Sequence, residues 1–263
     1  MKQHISLLLT ARKSPLKVSA NWTAWIMQAL ILGVMVKVVQ FFFPHAIPYS
    51  FWQLWNTTGT PTEWLAASWP ILCWAVGITV LIASLTRNSR YENEHAESFL
   101  ANGIWLSLRA GTMEEIIFRW LLFMWCIATA QFADFIFGGF IFDHGLVWCI
   151  YHYLLNPIAD YFTMGLLHNE LSGDTAWYIA AGLMAANVYF RDGHKYQGLL
   201  GLINSWFIGM YMFYLLFNYG LLACILVHLV YDLCIFAIQY VDRALERARN
   251  VSNGKQGSED EDE

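Results

Sequence analysis

The sequence predicts an all-α membrane protein, a bundle of seven or eight transmembrane helices with a polar cavity inside the membrane. Of its 263 residues, 57% are hydrophobic and only 13% are charged, whereas soluble domains carry about 25% charged residues. Apolar stretches of about 20 residues, the length that spans a bilayer, recur along the chain. The few ionisable residues inside these stretches repeat at helical spacing, so we expect them to face one another around the cavity.

The predicted spans begin with an apolar run at about 22–43, which is too long for a cleavable signal and is interpreted as a retained first helix. A shorter apolar run lies at 99–111. The chain has eight spans if this run is counted as one of them and seven if it is not. The remaining runs lie at about 64–85, 113–131, 134–155, 176–190, 199–217 and 220–241.

Basic residues predict the orientation of the chain. They lie before the first span and after the last, whereas residues 44–63, between the first two spans, contain no Lys or Arg. The positive-inside rule then places both termini in the cytoplasm. Two termini on one side require an even number of spans, which favours eight. We expect a multi-pass protein of a prokaryotic cell membrane.

Four regions follow from this pattern. Residues 1–21 form a cytoplasmic segment, 22–98 two transmembrane helices with their loop, 99–242 the core that carries the chemistry, and 243–263 a charged tail that we expect to be disordered. The tail ends in SEDEDE, whose five acidic residues account for the net charge of −5. Because no basic stripe is present, nucleic acid is not an expected partner. The expected partners are the bilayer and a membrane-associated protein or peptide.

Two adjacent glutamates and an arginine interrupt the apolar run GTMEEIIFRWLLF at residues 111–123. Each charge at the centre of a span costs about 2.5–3.5 kcal/mol. Glu115 and Arg119 are four residues apart, so they share a helix face and can pair. Glu114 is rotated by about 100° from Glu115 on an α-helix and must point elsewhere. The spacing therefore predicts one paired glutamate and one that is free for chemistry.

The same spacing of four residues recurs in two later segments. His228 and Asp232, in HLVYD, lie on one face of the last predicted span. Phe190 and His194, in FRDGH, lie at the end of an earlier one. Since all of these residues fall in or next to apolar runs, we expect them to converge within the bundle.

These three segments resemble the motifs of a known family. EEIIFR resembles the EExxxR motif of the CPBP intramembrane proteases, the Abi or type II CAAX prenyl endopeptidase group. FRDGH resembles their FxxxH motif and HLVYD their Hxxx(N/D) motif, in the same order, over about residues 100 to 240. Two features depart from the pattern. Trp120 stands where the family often has Gly, and the gap from Glu115 to His194 is long. His152, in WCIYH, is nearer the usual distance but lacks the Phe, and it is the alternative second histidine.

The resemblance implies an intramembrane endopeptidase that hydrolyses peptide bonds of membrane-associated proteins, including CaaX-type prenylated proteins if the host makes them. Glu114 would be the base that activates water, and His194 would position or polarise that water. His228 and Asp232 would contact the tetrahedral oxyanion or orient the site. Asp232 can donate to an oxyanion only if it is protonated; otherwise it orients His228.

The resemblance also assigns supporting roles to Glu115, Arg119 and Phe190. No cofactor is expected, because the sequence lacks HExxH and the candidate ligands are far apart in the chain. A zinc site with an open position is the alternative. The zinc ligands would then be Glu114, His194 and His228.

Two functions of other classes remain open at this point. A non-catalytic membrane protein of the same fold could act as a chaperone, a scaffold or a bacteriocin self-immunity protein. A proton-coupled carrier could use the same charged residues as a relay, but it predicts repeated halves with broken helices, and the sequence shows no internal repeat. The complete set of catalytic residues favours the protease.

Overall fold

The computed structural model describes residues 22–86, 96–172 and 177–259, and all regular secondary structure in these ranges is helical. The all-α class is therefore confirmed. Four of the described helices are long and apolar enough to cross a membrane, and there are five if the bent pair Pro61–Ala67 and Trp69–Leu81 is one span. The count of seven or eight spans is not confirmed. The predicted cytoplasmic segment 1–21 lies outside the described residues.

Twelve α-helices are numbered in chain order within the described ranges. They are α1 Trp22–Phe42, α2 Pro61–Ala67, α3 Trp69–Thr86, α4 Ala96–Glu114, α5 Phe123–Asp134, α6 Phe140–Phe142, α7 Leu146–Ile150, α8 Asn156–Phe162, α9 His168–Leu171, α10 Trp177–Gly193, α11 Gly198–Tyr219 and α12 Leu221–Glu259. Three π-helical segments lie at Glu115–Leu122, Phe135–Gly139 and Tyr151–Leu155. Since α12 runs to Glu259, helix extends into the segment predicted as a disordered tail.

The first helix is the most peripheral of the candidate spans. In α1, Val36 is buried, and only 6% of the apolar window is covered by protein. A helix that is apolar on every side and exposed on most of them fits a lipid environment. Its exposed residues support the membrane assignment, because such a surface would not be stable in water.

The centre of the molecule is the continuous helical stretch formed by α4, the π-helix Glu115–Leu122 and α5. It packs against α12 on one side and α10 on the other. Two glycines permit these close approaches. A Cβ atom at Gly111 would lie 3.0 Å from the Leu229 backbone nitrogen of α12, and one at Gly182 of α10 would lie 2.9 Å from the Ile127 backbone nitrogen of α5. Small residues at such crossings are typical of membrane helix pairs.

The region after α5 is not one helix. Phe137 and Gly138 have non-helical backbone angles, with φ of 114° at Gly138. The Asp134 carboxylate then accepts hydrogen bonds from the backbone amides of Gly145 at 2.9 Å and Trp148 at 2.6 Å. This side chain satisfies two amide donors at the start of α7, where a helix lacks internal acceptors. The apolar run at 134–155 therefore folds as several short helices.

The connection between α1 and α2 is fixed by side chains from the core. The Trp120 indole donates to the Phe51 carbonyl at 2.7 Å, and the Gln131 amide donates to the Ala46 carbonyl at 2.7 Å. The rings of Phe51, Trp52 and Trp55 pack around Trp120, with centroids 4.8 to 5.2 Å away. Trp120 thus joins this loop to the central helix.

Candidate active site

Three of the predicted residues form a buried group that we call the inner cluster: Glu115, Arg119 and His228. The carboxylate of Glu115 lies between the other two side chains. Its Oε1 is 2.6 Å from His228 Nδ1, and its Oε2 is 3.3 Å from Arg119 Nε. The side chains of Glu115 and Arg119 have no solvent exposure, and that of His228 has 6%. Charges in such a setting must be paired, because desolvation is too expensive otherwise.

Phe190 completes the packing around this cluster. The Arg119 guanidinium lies 3.9 Å from the centroid of the Phe190 ring, and the ring centroid of Phe213 lies 5.8 Å away on α11. An aromatic face attracts a guanidinium in a desolvated site. Phe190, which sequence reasoning assigned to a supporting role, therefore stabilises the arginine that balances Glu115.

The charged motif lies at the junction of two helix types. Glu114 is the last residue of α4, and Glu115 is the first residue of the π-helix Glu115–Leu122. The sequence predicted an α-helix throughout, so the simple rotation of 100° per residue does not describe this segment. The π-helix still keeps Glu115 and Arg119 on one face, and π-helical turns inside α-helices are frequently found at functional sites.

The other predicted residues lie nearer the surface, and we call them the outer group: Glu114, His194 and Asp232. Glu114 Oε2 is 3.9 Å from His194 Nε2, and Asp232 Oδ2 is 3.8 Å from His228 Nε2. The exposed fractions of these side chains are 15% for Glu114, 17% for His194 and 21% for Asp232. Both separations exceed a direct hydrogen bond. Glu114 therefore lies near His194, and Asp232 lies near His228, but neither pair is tightly bonded.

Hydrogen bonding fixes which ring nitrogen of each histidine carries a proton. His194 Nδ1 lies 2.8 Å from the Phe190 carbonyl, which can only accept, so Nδ1 is the donor and Nε2 points to Glu114. His228 Nδ1 likewise donates to the Glu115 carboxylate and leaves Nε2 towards Asp232. The alternative histidine, His152, instead stacks on Trp148, with ring centroids 4.7 Å apart.

Two residues of this region were missed by the sequence reasoning. Arg109, one turn and a half before Glu114 on α4, is 7% exposed. Tyr196, two residues after His194, stacks loosely on that histidine, with ring centroids 6.1 Å apart. The signal for Arg109 was available, because an arginine inside the apolar run at 99–111 is as unusual as Arg119.

The described residues contain no group of three or more His, Cys, Asp or Glu side chains arranged to hold a metal ion. The three residues named for zinc are divided between the inner cluster and the outer group, and one nitrogen of each histidine is already bonded within the protein.

A groove of about 570 Å³ lies beside the site. Its polar rim is formed by Arg191, Asp192 and Lys195, and its apolar wall comes largely from α11. None of the four predicted catalytic residues lines it. The polar cavity expected around those residues is not confirmed.

Comparisons of the chain with family models, with curated proteins and with solved structures found no match.

Proposed function

We propose that the protein is an intramembrane endopeptidase in which Glu114 activates a water molecule for attack on a peptide bond. The observation that carries this proposal is the relation between Glu114 and His194. Glu114 Oε2 is buried without a hydrogen-bond partner and faces His194 Nε2 at 3.9 Å. In the neutral tautomer that the Phe190 carbonyl selects, Nε2 is an acceptor, so two acceptors face each other. A water molecule between them donates to both.

The proposed reaction uses this water as the nucleophile. The Glu114 carboxylate takes a proton from it while the oxygen attacks the scissile carbonyl carbon, which gives a tetrahedral oxyanion. When the C–N bond breaks, the proton on Glu114 passes to the leaving amine, and a carboxylic acid and an amine are released. Glu114 thereby returns to its starting state.

His228 is placed to stabilise the oxyanion. Its Nδ1–H donates to Glu115, so a proton at Nε2 makes it a cation whose charge Glu115 offsets. Nε2 is the nitrogen on the side of Asp232. In this proposal Asp232 orients the ring. Arg119 and Phe190 hold Glu115 in place and do not touch the substrate.

We propose an even number of membrane crossings with both termini in the cytoplasm of the cell. Helix α10 has 17 residues, so it is about 25 Å long and close to the thickness of the hydrocarbon core. Together with the five candidate spans it gives six crossings. Labelling of single introduced cysteines in sealed vesicles tests this: a cysteine at residue 250 should react only from the cytoplasmic side.

The activity is tested with purified protein in liposomes and with transmembrane and prenylated peptides as substrates. Wild type should cut at least one class of peptide, and Glu114→Gln should lower kcat by about 10²- to 10⁴-fold. Glu63→Gln is the matched control: Glu63 caps α2 and belongs to neither the inner cluster nor the outer group, and glutamine can take its place in the cap.

Equal cleavage by wild type and Glu114→Gln would contradict the proposal, because a contaminant or another residue would then carry the activity. No cleavage of either peptide class by wild type would favour the non-catalytic scaffold. Extensive chelation distinguishes a metal-independent mechanism from a zinc-dependent one. The peptidase activity should survive chelation. A loss of activity that zinc alone restores would show a zinc enzyme.

A further inference from the structure

The groove of about 570 Å³ beside the site has a charged rim and an apolar wall. The rim residues are Arg191, Asp192 and Lys195, which lie at the end of α10 and just after it. The wall consists of Phe162 on α8 and of residues on α11, namely Leu199, Leu202, Ile203, Trp206 and Phe207. A groove that is charged at one end and apolar along its length fits an amphipathic ligand.

The rim carries a net positive charge. Asp192 Oδ1 accepts a hydrogen bond from Arg191 Nη2 at 2.7 Å, and Asp192 Oδ2 lies 2.7 Å from Lys195 Nζ. One carboxylate thus holds two cations in place, which leaves one positive charge over among the described residues that line the rim. The side chains of Arg191 and Lys195 are 34% and 64% exposed, so their other N–H groups are open to a ligand. A phosphodiester carries one negative charge and several acceptor oxygens, and it complements this rim.

The position of the groove along the candidate span indicates which amphipathic ligand fits. Lys195 is the first residue of that span, so the rim lies where the span meets the lipid headgroups. Leu199, Ile203 and Phe207 follow at a spacing of four residues on one face of α11 and are 57%, 47% and 42% exposed. The ten residues from Gly198 to Phe207 rise about 15 Å, which is half of the roughly 30 Å hydrocarbon core. The charged rim and the apolar wall therefore match the headgroup and the acyl chain of a lipid in one leaflet.

We propose that this groove binds one anionic phospholipid, with its phosphate at Arg191 and Lys195 and one acyl chain along α11. The phosphate of such a lipid neutralises the single positive charge of the rim. Phosphatidylcholine fits less well, because its own ammonium group lies next to its phosphate. The site is independent of the proposed peptidase activity, since none of the residues that line the groove takes part in the proposed reaction.

Trp206 is the reporter for the test, because it lines the groove. The protein is reconstituted in phosphatidylcholine vesicles that contain a varied share of phosphatidylglycerol or phosphatidylcholine with brominated acyl chains, and bromine quenches indole fluorescence on contact. The difference in quenching between wild type and Trp206→Phe isolates Trp206 from the other tryptophans. Brominated phosphatidylglycerol should bind about 5-fold more tightly than brominated phosphatidylcholine, as expected for one uncompensated basic charge. Trp69→Phe is the matched control: Trp69 is 66% exposed on α3, does not line the groove, and its removal should leave this difference unchanged.

Charge variants test the rim directly. The double variant Arg191→Gln with Lys195→Gln should bind the two brominated lipids equally, whereas Lys195→Arg keeps the charge and should keep the preference. Lys37→Gln is the matched control, because it removes an exposed cation that lies over the Phe51 ring at 4.3 Å and not at the groove. Circular dichroism of each variant shows whether its helical content equals that of wild type. A preference that survives in the folded double variant would overturn the inference.

Three other results would also overturn the inference. Equal quenching of Trp206 by the two lipids would show an ordinary contact with the bilayer. If neither lipid quenches Trp206 but a prenylated peptide with a brominated chain does, the groove holds a substrate chain. If inorganic phosphate removes the excess quenching by phosphatidylglycerol, and sodium chloride of the same ionic strength does not, the rim binds free phosphate. None of these measurements depends on cleavage of a peptide, so the lipid site and the peptidase activity stand or fall separately.

Discussion

The two glutamates at the centre of the molecule are neighbours in sequence, yet they occupy opposite environments. Glu115 belongs to the inner cluster, where both of its oxygens face a partner and no solvent reaches it. Glu114 belongs to the outer group, where it is partly exposed and lies 3.9 Å from His194 Nε2. A carboxylate that is held between His228 and Arg119 and closed to solvent is out of the reach of a ligand. The comparison therefore assigns structure to Glu115 and leaves Glu114 for chemistry.

The largest effect expected from this comparison is on stability. Arg119→Met keeps the length of the side chain but removes the charge that offsets Glu115. Leaving one member of a buried pair alone costs about 3–5 kcal/mol of unfolding free energy. Titration with a denaturing detergent, followed by circular dichroism, measures this loss.

Arg191→Met is the matched control for that experiment. Arg191 is 34% exposed and pairs with the adjacent Asp192 at the end of α10. Surface pairs contribute little, so this variant should unfold close to wild type. Equal losses for the two arginine variants would show that the inner cluster is no more important to stability than the surface pair.

A smaller effect separates the two glutamates themselves. Glu114→Gln should change the unfolding free energy by no more than about 0.5 kcal/mol, because no partner loses a short hydrogen bond. Glu115→Gln should lower it by about 3–5 kcal/mol, because Arg119 then becomes an uncompensated buried charge. The same detergent titration measures both variants. A loss in Glu114→Gln as large as that in Glu115→Gln would remove the distinction between the outer group and the inner cluster.

The smallest effect concerns a carboxylate at the exposed edge of the site. Hydrogen bonds from Lys195 and Arg191 lower the pKa of Asp192 below its ordinary value of 3.8. A carboxyl whose pKa is lower when folded adds stability above that ordinary value, and the contribution is lost as the pH falls through the folded pKa. Thermal unfolding midpoints between about pH 2 and 6 should therefore fall slightly more at the acid end in wild type than in Asp192→Asn. Identical profiles would contradict this prediction.

The sequence predicted local relations at this site better than distant ones. Helical spacing predicted that Glu115 faces Arg119 and that His228 faces Asp232, since both depend only on the chain within one turn. The 2.6 Å contact between Glu115 and His228 joins residues 113 positions apart. It depends on how α4 and α12 cross, and the spacing of charges contains no information about that crossing.

The fold shows the same limit. The membrane class and the α-helical content follow from composition and apolar runs, and the structure agrees with them. The break after α5 could not be predicted from hydropathy, because residues 134–155 are mostly apolar, while the Asp134 carboxylate accepts hydrogen bonds from amides eleven and fourteen residues away. The π-helix was missed because its hydrogen-bond register depends on packing.

The π-helix determines where the central helix can lose one residue without changing its packing. A π-helical turn contains one residue more than the α-helical turn it replaces, so the segment Glu115–Leu122 holds a surplus residue. Deleting one codon in an ordinary α-helix rotates everything downstream by about 100°. A deletion among Trp120–Leu122 can instead be absorbed by a return to α-helix, and α5 would keep the face it presents to α10. This is the position in the central helix where the helix bundle tolerates a change in length.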